Sequence, residues 1–401
     1  MRDKSRIGLF GFGVVGQGLY DILEKNRYFN AEITKICVKD KNKSRTLPAK
    51  RFTFKKNDIL ENEIIDLIVE LISDADEAFE IVKAALTNGK KVITANKKMV
   101  AENFEELFRL QQNYGGVLLY EAACCGSIPI IRNLEEYFDN EPLRGVYGIF
   151  NGSSNFILSK VFNDNMSYDE ALTQAQTLGF AEKDPTLDVG GFDAANKLCI
   201  IATHAFGLVS HPDEIFTEGI QHLNNIDIEF ARKNSVAIKL LAKTKISDDP
   251  WVVNYVMPAA IDEQNELINI EDEFNGVIVE GQFSGEQLFK GKGAGGHPTG
   301  SAVLSDISAS FYQYQYEYKK YFQKYGYRYT LNYDLKVYFR CNDKKIIEDL
   351  NFKTIEQQHE VGGFFQVIGE VNLQNLLQQQ SLLQKEPHFI MLIEDVPFVK
   401  L

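Results

Sequence analysis

Cysteine is scarce in this chain of 401 residues, and none of its five cysteines stands in a Cys-x-x-Cys pair. So small and odd a number excludes a disulfide framework, and the missing pair argues against a structural zinc site. Long apolar runs are also missing. The first one ends in glycines after Phe10, and none approaches the about 18 residues of a membrane span. We therefore expect a reduced, cytoplasmic protein that has no membrane anchor.

Positive charge is the scarcer sign, because 43 Lys and Arg stand against 56 Asp and Glu, for a net charge of −13. This acidic excess argues against binding to nucleic acids or to a membrane surface, although it leaves small anionic ligands open. With 44% hydrophobic and 25% charged residues, the chain has the composition of a globular protein. Its length predicts two or three domains.

A glycine motif opens the chain. The apolar run Arg6–Phe10 predicts a strand, and helical spacing of apolar residues begins at Val14. Between them, Gly11 permits a tight turn, Gly13 lets the backbone approach a pyrophosphate, and Gly16 lets helix and strand pack closely. The motif favours a dinucleotide site over an ordinary glycine-rich turn. Its predicted cofactor-binding residues are Gly11, Phe12, Gly13, Val14, Val15 and Gly16.

Strands and helices alternate through the first third of the chain. Predicted strands cover Glu32–Val38, Asp66–Ile72, Lys91–Ala95 and Val117–Ala123, and predicted helices cover Asp76–Asn88 and Glu102–Asn113. This alternation predicts an α/β fold with a Rossmann-type, doubly wound parallel sheet.

The ends of the predicted strands carry candidate ligand-binding residues. After the second strand, Lys39 suits the 2′-phosphate of NADP and Asp40 suits the 2′-hydroxyl of NAD, so both cofactors stay open. Thr94 and Lys97 follow a later strand, at the carboxyl edge where such sheets bind ligands. Lys97 either faces a ligand there or is a solvated surface lysine.

The charged residues that could act in catalysis are most concentrated between residues 179 and 198. Asn151–Asn155 is predicted as a polar loop, followed by helical pattern from Phe156. Further on, Asp193 and Lys197 are four residues apart on a predicted helix, so they share one face. A lysine held by a carboxylate in a closed site can exchange a proton with a substrate hydroxyl. The alternative is an ordinary surface salt bridge, but the apolar flanks of this helix and the nearby Glu182, Asp184 and Asp188 favour a site.

Glycines are concentrated again at Lys290–Gly300. This segment is either a flexible hairpin or a ligand-covering loop, and the helical pattern of Ser301–Ser310 fits a return of the chain to the first domain. The tyrosine-rich stretch from Tyr312 to Tyr329, Tyr325 included, fits both strand and helix. From Asp334 to the end, the patterns predict a small module of β-α-β-β-α-β order.

Six ordered blocks of this sequence resemble homoserine dehydrogenase over residues 5–310. They are GFGVVGQGL near residue 11, ITANKK at 93–98, EAACCGSIPII at 121–131, NGSSNFIL at 151–158, GFAEKDPTLDVGGFDAANKL at 179–198 and GKGAGGHPTGSAV at 291–303. The resemblance implies NAD(P)-dependent interconversion of L-homoserine and L-aspartate 4-semialdehyde, on the pathway to threonine and methionine.

The resemblance also implies roles for single residues. Lys197 is the implied general acid/base, with Asp193 orienting it, and Lys97 is a second lysine near nicotinamide and substrate. Glu182 matches the carboxylate that holds the substrate's amino group, with Asp188 beside it. Lys39, Thr94, Lys97 and Gly293 join the glycine motif as cofactor-binding positions.

A monovalent cation such as sodium is a further implication. Its ligands, mainly backbone carbonyls, map onto Glu121, Cys124, Gly126 and Ile128. Cys124 and Cys125 depart from the aliphatic or small residues usual there. A thiol at this place suggests a second hypothesis, a thiol-dependent semialdehyde dehydrogenase. No basic neighbour in sequence activates either cysteine, so buried structural thiols are favoured.

The expected organisation is a dinucleotide-binding domain at 1–127 completed by about 295–318, an α+β substrate and dimerisation domain at 128–294, and a module at 330–401. The module resembles an ACT-type domain, but Cys341-Asn342-Asp343-Lys344 replaces the usual Asp-x-Pro-Gly turn. It is therefore as readily a structural remnant as a sensor of an end-product amino acid. The resemblance implies a homodimer. A third hypothesis is a non-catalytic dinucleotide sensor, against which the intact Glu182, Asp193 and Lys197 set argues.

Overall fold

A computed structural model describes residues 4–26, 29–323, 326–384, 387–394, 396 and 399–401. The chain forms two compact units. Unit 1 consists of Met1–Tyr137 and Lys292–Lys319, and unit 2 consists of Phe138–Gly291 and Lys320–Leu401. No helix in the described ranges is both long and apolar enough to cross a bilayer.

The elements of the first segment of unit 1 alternate as predicted. They are β1 (Ser5–Phe10), α1 (Val14–Lys25), β2 (Ala31–Cys37), β3 (Phe52–Thr53), α2 (Asn57–Leu60), β4 (Leu67–Glu70), α3 (Ala75–Thr87), β5 (Lys91–Thr94), α4 (Lys97–Glu102), α5 (Phe104–Tyr114), β6 (Val117–Leu119) and α6 (Ile130–Arg132).

The middle of the chain contributes helices and long strands. They are β7 (Leu143–Ile149), α7 (Gly152–Asn163), α8 (Tyr168–Leu178), α9 (Thr186–Val189), α10 (Phe192–Phe206), β8 (Phe216–Thr217), α11 (Asn225–Lys233), β9 (Ala237–Asp248), β10 (Trp251–Ile261), β11 (Phe274–Gly281) and β12 (Gly285–Lys292).

The last part of the chain starts with a long helix. Its elements are α12 (Gly296–Phe311), α13 (Lys319–Gln323), β13 (Arg328–Tyr329), β14 (Asp334–Cys341), α14 (Lys344–Leu350), β15 (Thr354–Val361), β16 (Phe364–Asn372), α15 (Leu373–Gln378), α16 (Gln380–Leu383) and β17 (Phe389–Leu392).

Unit 1 is built on a parallel sheet of order β3-β2-β1-β4-β5-β6. The predicted doubly wound sheet is confirmed. Its strand order reverses between β1 and β4, and a sheet of this kind binds ligands at the carboxyl ends of the strands on either side of such a point. The central strands are mostly apolar, and Ile7, Leu9 and Ile68 are fully buried.

Helix α12 belongs to unit 1 and packs directly on α1. The glycines make this contact possible, because a Cβ at Gly18 would lie 2.1 Å from the carbonyl oxygen of Gly296. A Cβ at Gly300 would likewise lie 2.9 Å from the backbone nitrogen of Leu19. Residues with larger side chains would force these two helices apart.

Unit 2 contains a mixed sheet. Its described strands follow the order β12-β11-β7-β9-β10-β17-β14-β16-β15, with β8 and β13 also paired to β10. Helices α7 and α10 pack against strands of its central part. Along β10, Val253, Tyr255 and Met257 alternate into a common apolar core with residues of β14 and β16.

The C-terminal module follows the strand order that the sequence predicts, but two short helices, α15 and α16, replace the single helix predicted between β16 and β17. Strands β17, β14, β16 and β15 pair antiparallel in that spatial order. Gly362 and Gly363, with φ of 59° and 80°, form the turn between β15 and β16. The tyrosine-rich stretch contains the short helix α13 and the short strand β13, and Tyr325 lies outside the described residues.

Two local predictions are wrong. Asn151–Asn155 is not a loop, because α7 begins at Gly152 and Asn151 caps it by accepting a hydrogen bond from the Ser154 backbone N–H. The strand predicted over Val117–Ala123 ends at Leu119, and Glu121–Ala123 form a short 3₁₀ helix. In both segments the polar or small residues are buried, which the hydrophobic pattern does not reveal.

Candidate active site

The loop between β1 and α1 has the geometry that the glycine motif predicts. Gly11 has φ of 92°, in the left-handed region, and a Cβ there would lie 2.6 Å from the Leu71 carbonyl oxygen. A Cβ at Gly16 would lie 2.6 Å from the Gly11 carbonyl oxygen. Around Gly13 there is open space instead. The loop thus fits a pyrophosphate that approaches the backbone at Gly13, beside the start of α1.

The turn after β2 contains Lys39 and Asp40, the two residues predicted to distinguish NADP from NAD. The Nζ atoms of Lys39 and Lys56 lie 3.6 Å and 3.1 Å from the two carboxylate oxygens of Glu77. Asp40 uses its Oδ1 to accept hydrogen bonds from the backbone of Asn42 and Lys43. The one acidic group of this turn therefore stabilises the turn, while the Lys39 side chain is 86% exposed.

Two strand ends form a buried polar network in unit 1. Glu70, the last residue of β4, accepts hydrogen bonds from the Thr94 hydroxyl at 2.6 Å and the Ile72 N–H at 2.6 Å. Burial raises the pKa of Glu70 to about 7. Asn96 accepts from the Met99 N–H and so caps α4, which begins at the half-buried Lys97.

The sequence pattern predicts Thr94 and Lys97 as site residues but not Glu70. Its position at the end of a buried strand was the available signal, since a carboxylate there must find hydrogen-bond donors.

The loop predicted to bind a cation turns sharply. Cys125 and Gly126 are both left-handed, with φ of 53° and 61°. A Cβ at Gly126 would lie 2.7 Å from the Gly293 carbonyl oxygen, so these two predicted positions are neighbours. The carbonyl oxygens of Glu121 and Ile128 accept hydrogen bonds from the Cys124 and Ile130 N–H groups. Each carbonyl keeps a second lone pair, and oxygen ligands of this kind suit a hard cation.

The side-chain carboxyl group of Glu121 has other hydrogen-bond partners than its backbone carbonyl. It is 2% exposed and accepts hydrogen bonds from the backbone N–H groups of Ile131 and Arg132. Burial raises the pKa of Glu121 to about 7. The side chains of Cys124 and Cys125 are fully buried, as predicted for structural thiols.

In unit 2, Lys197 and Asp193 form a buried pair on α10. The Nζ atom of Lys197 lies 2.6 Å from Oδ2 of Asp193 and 2.6 Å from the Phe150 carbonyl oxygen. Both residues are only 6% exposed. The surface salt bridge considered as an alternative is therefore wrong, since this ion pair is inside the protein and each group depends on the other.

Asn151 joins a second carboxylate to this pair. Its side-chain nitrogen donates to Asp193 Oδ2 at 2.9 Å and to Asp188 Oδ1 at 2.7 Å. Asn151 is not among the predicted site residues, although an asparagine just before a helix is a recognisable capping signal. Glu182 lies outside this network, on the exposed segment between α8 and α9.

Comparison with known proteins identifies the family. The model of the homoserine dehydrogenase NAD-binding domain matches residues 11–121, and the homoserine dehydrogenase model matches residues 129–308. The chain belongs to the homoserine dehydrogenase family. Homoserine dehydrogenase of Neisseria gonorrhoeae is 37% identical over 309 residues, which cover 75% of this chain and 71% of the relative. That of Helicobacter pylori is 36% identical over 77% of this chain and 74% of the relative.

Solved homoserine dehydrogenases share the fold of the chain. The Thiobacillus denitrificans enzyme has a TM-score of 0.83 at 29% identity, covering 98% of this chain and 99% of that one. The Staphylococcus aureus enzyme has a TM-score of 0.73 at 30% identity, covering 98% and 100%. A hyperthermophilic archaeal homoserine dehydrogenase in complex with NADPH has a TM-score of 0.67 at 26% identity, covering 78% and 99%.

Membership of this family decides between the three functional hypotheses. The chain is a homoserine dehydrogenase by function, an NAD(P)-dependent oxidoreductase. Neither the thiol-dependent dehydrogenase nor the non-catalytic sensor is favoured.

Proposed function

We propose that Lys197 is the general acid/base in the interconversion of L-homoserine and L-aspartate 4-semialdehyde. The observation that supports this role best is its buried pairing with Asp193 at 2.6 Å. When homoserine is oxidised, a neutral Nζ takes the proton of the substrate hydroxyl, and in the reverse direction it returns that proton to the forming alkoxide. A bound nicotinamide would supply the acceptor for the hydride of the carbon that bears the hydroxyl.

Asp193 orients this lysine. With Asp193 Oδ2 on one side and the Phe150 carbonyl on the other, two of the three donor directions of the ammonium group are fixed. We assign the substrate oxygen to the same Nζ atom. An orientation fixed before substrate arrives lowers the entropy cost of the proton transfer.

Two further carboxylates are assigned to the substrate's ammonium group. We propose that Glu182 binds it and that Asp188 lies beside it, since two anionic oxygens match a charged amino group. Asp188 is half-buried and held by Asn151, whereas Glu182 is exposed. Asp188 would therefore provide a fixed contact to the ammonium group, and Glu182 an adjustable one. Lys97, at the first position of α4, is assigned to the nicotinamide and the substrate.

For the cofactor we propose NADP in preference to NAD. Gly11, Phe12, Gly13, Val14, Val15 and Gly16 are assigned to the pyrophosphate, together with Gly293, and Thr94 and Lys97 to the nicotinamide end. Lys39 and Lys56 share the single carboxylate of Glu77, so a 2′-phosphate would meet two ammonium groups. The archaeal relative in complex with NADPH supports this choice by analogy.

A monovalent cation such as sodium is proposed at the carbonyl oxygens of Glu121, Cys124, Gly126 and Ile128. The left-handed turn at Cys125 and Gly126 supports it, because this turn curls the backbone within a few residues. Bound there, a cation would hold the loop that contacts Gly293. Raising the sodium concentration should then increase the melting temperature more than an equal concentration of choline, which is too large for the loop.

The remaining assignments concern organisation. We propose dinucleotide binding for residues 1–127 with 295–318, substrate binding and homodimer formation for 128–294, and an ACT-like module at 330–401. The antiparallel order β17-β14-β16-β15 supports the last assignment.

The test of the proposed activity is the absorbance of reduced nicotinamide. Purified protein is mixed with L-homoserine and either NADP or NAD in separate cuvettes. We expect reduced cofactor in both, faster with NADP at equal low concentrations. No signal in either cuvette, and none in reverse with the semialdehyde, would contradict the proposal.

A further inference from the structure

Asn151 makes more hydrogen bonds in the site of unit 2 than capping a helix requires. Its Oδ1 accepts from the Ser154 N–H at 2.7 Å and so caps α7. The two hydrogens of its Nδ2 go to two different carboxylates, Asp188 at 2.7 Å and Asp193 at 2.9 Å. Asn151 is 4% exposed. Each of its two N–H groups and its side-chain oxygen makes one of these three hydrogen bonds.

The carboxylate oxygen that Asn151 binds is the one that holds the catalytic lysine. Asp193 Oδ2 accepts from Asn151 Nδ2 at 2.9 Å and from Lys197 Nζ at 2.6 Å. The neighbouring residue, Phe150, offers its carbonyl to the same Nζ atom. Residues 150 and 151 therefore bind both members of the pair from one short stretch of backbone between β7 and α7.

Asparagine is the side chain that suits this place. Asp188 and Asp193 are both anionic when charged, and two such groups repel each other in a partly buried site unless donors lie between them. Aspartate would cap α7 but would donate nothing and add a third negative charge. Serine would cap α7 but has one donor and a shorter reach. Asparagine alone combines the cap with two N–H groups.

We infer that Asn151 is a positioning residue for catalysis, which ties Asp188 to Asp193 and thereby fixes Lys197 for proton transfer. This inference rests on the proposed role of Lys197. It goes beyond that role because it links the carboxylate assigned to the substrate's amino group with the group that moves the proton. A substrate that engages Asp188 then meets a lysine whose direction is already set.

Two substitutions separate this role from helix capping, since serine and aspartate cap helices about as well as asparagine. Asn151→Ser keeps the cap of α7 but removes the donors to Asp188 and Asp193, so it should melt below the wild type. It should also lower kcat about 100-fold, the scale expected when a reacting group is misplaced by about 1 Å. Asn151→Asp should also move the rise of kcat/KM for homoserine oxidation to higher pH. The added negative charge favours the protonated lysine, which has to lose its proton to act as the base.

The matched control is Asn372→Ser. Asn372 caps α15 by accepting from the Gln374 N–H and donates to the Asp334 carboxylate at 2.9 Å, far along the chain in the C-terminal module. Like Asn151→Ser, this variant removes the side-chain amide of an N-cap asparagine that donates to an aspartate. We expect its kcat, KM and pH profile to match the wild type.

A double substitution shows whether Asn151 acts through the lysine. If it does, Asn151→Ser should cause no further loss of kcat in a Lys197→Met background. Losses that multiply would overturn the inference, as would wild-type kcat and pH profile in Asn151→Ser. The proposed function fails separately, and visibly, if Lys197→Met alone keeps wild-type turnover.

Discussion

Lys197 and Asp193, four residues apart on α10, form an ion pair with 2.6 Å between Nζ and Oδ2 although each residue is only 6% exposed. Burial of two charges costs free energy that their attraction barely offsets, so such a pair is poor evidence of stabilisation. A buried ion pair that stabilises the fold so little is better explained by the proposed catalytic role. Its partners in unit 2, Phe150 and Asn151, hold it in one orientation.

Replacing Lys197 by Met should lower turnover by about two to four orders of magnitude, because general acid/base help is lost. Steady-state kinetics with homoserine and NADP measure this loss. Lys239→Met is a suitable control, since Lys239 is also buried in unit 2 and donates to a backbone carbonyl, that of Ile270, at 2.7 Å. Equal losses in both variants would show that burial of a lysine, and not its chemistry, decides turnover.

The glycine loop allows folding and cofactor binding to be tested separately. Gly13 has φ of −82° and open space around it, so Gly13→Ala should keep the melting temperature. A methyl group there would meet the pyrophosphate proposed to bind this loop, and we expect the KM for the cofactor to rise about tenfold, equivalent to about 1.4 kcal/mol.

Gly16→Ala is the contrasting variant, because its new methyl group would lie 2.6 Å from the Gly11 carbonyl oxygen. We expect destabilisation of about 1–3 kcal/mol from this overpacking. Thermal melting distinguishes the two variants. An unchanged cofactor KM in Gly13→Ala would argue against pyrophosphate binding at this loop.

Cofactor choice is tested at Lys39. Lys39→Ala should raise the KM for NADP about tenfold, by loss of a charge-assisted contact to the 2′-phosphate, and leave the KM for NAD unchanged. Lys83→Ala is the control, because Lys83 pairs with Glu106 on the surface of unit 1 as Lys39 pairs with Glu77. A parallel rise for both cofactors in Lys39→Ala would contradict recognition of the 2′-phosphate.

Glu218 predicts a pH dependence of stability. It is 1% exposed, its Oε2 has no hydrogen-bond partner within the described ranges, and burial raises its pKa to about 8. Between its ordinary pKa of about 4.5 and 8, the folded chain keeps this proton and the unfolded chain releases it. The stability of the wild type should therefore fall as the pH rises through this window and level off above it.

Glu218→Gln should remove this contribution, which is on the order of 5 kcal/mol for a shift of about 3.5 pKa units. The measurement is the difference in melting temperature between pH 5 and pH 9, compared for the wild type, Glu218→Gln and the exposed-site variant Glu32→Gln. We expect the smallest difference in Glu218→Gln. The prediction is wrong if Glu32→Gln and Glu218→Gln lose stability equally between the two pH values.

Sequence patterns predicted the features that depend on residues close together in the chain. Gly11, Gly13 and Gly16 lie in the predicted loop, and their surroundings and the φ of Gly11 are those that the motif predicts. Turn geometry of this kind depends on only a few neighbouring residues. The i,i+4 spacing of Asp193 and Lys197 likewise placed them on one helix face, as α10 has them. The order of strands in the C-terminal module also followed from alternation and turn residues.

Burial of polar residues could not be predicted in the same way. Ser153, Ser154 and Asn155 suggest a loop by composition, yet they lie in the first turns of α7 and are 9%, 0% and 1% exposed. Glu218 looks like an ordinary surface acid in the sequence, and the apolar strand before Glu70 is the one sequence signal of that residue's burial. Their burial depends on strands and loops distant in the chain, and the partners that make it tolerable are tertiary contacts.

The fit of Gly18 against Gly296 has a consequence for the synthesis of this chain. The ribosome completes the first 137 residues of unit 1 long before α12, which follows only after the segment Phe138–Gly291 has been made. Until residue 311 has emerged, α1 exposes the surface that Gly296 and Gly300 will cover. The nascent N-terminal part is thus an unfinished domain during translation, exposed to chaperones and proteases. A gene fragment that ends at residue 137 should yield an aggregation-prone product.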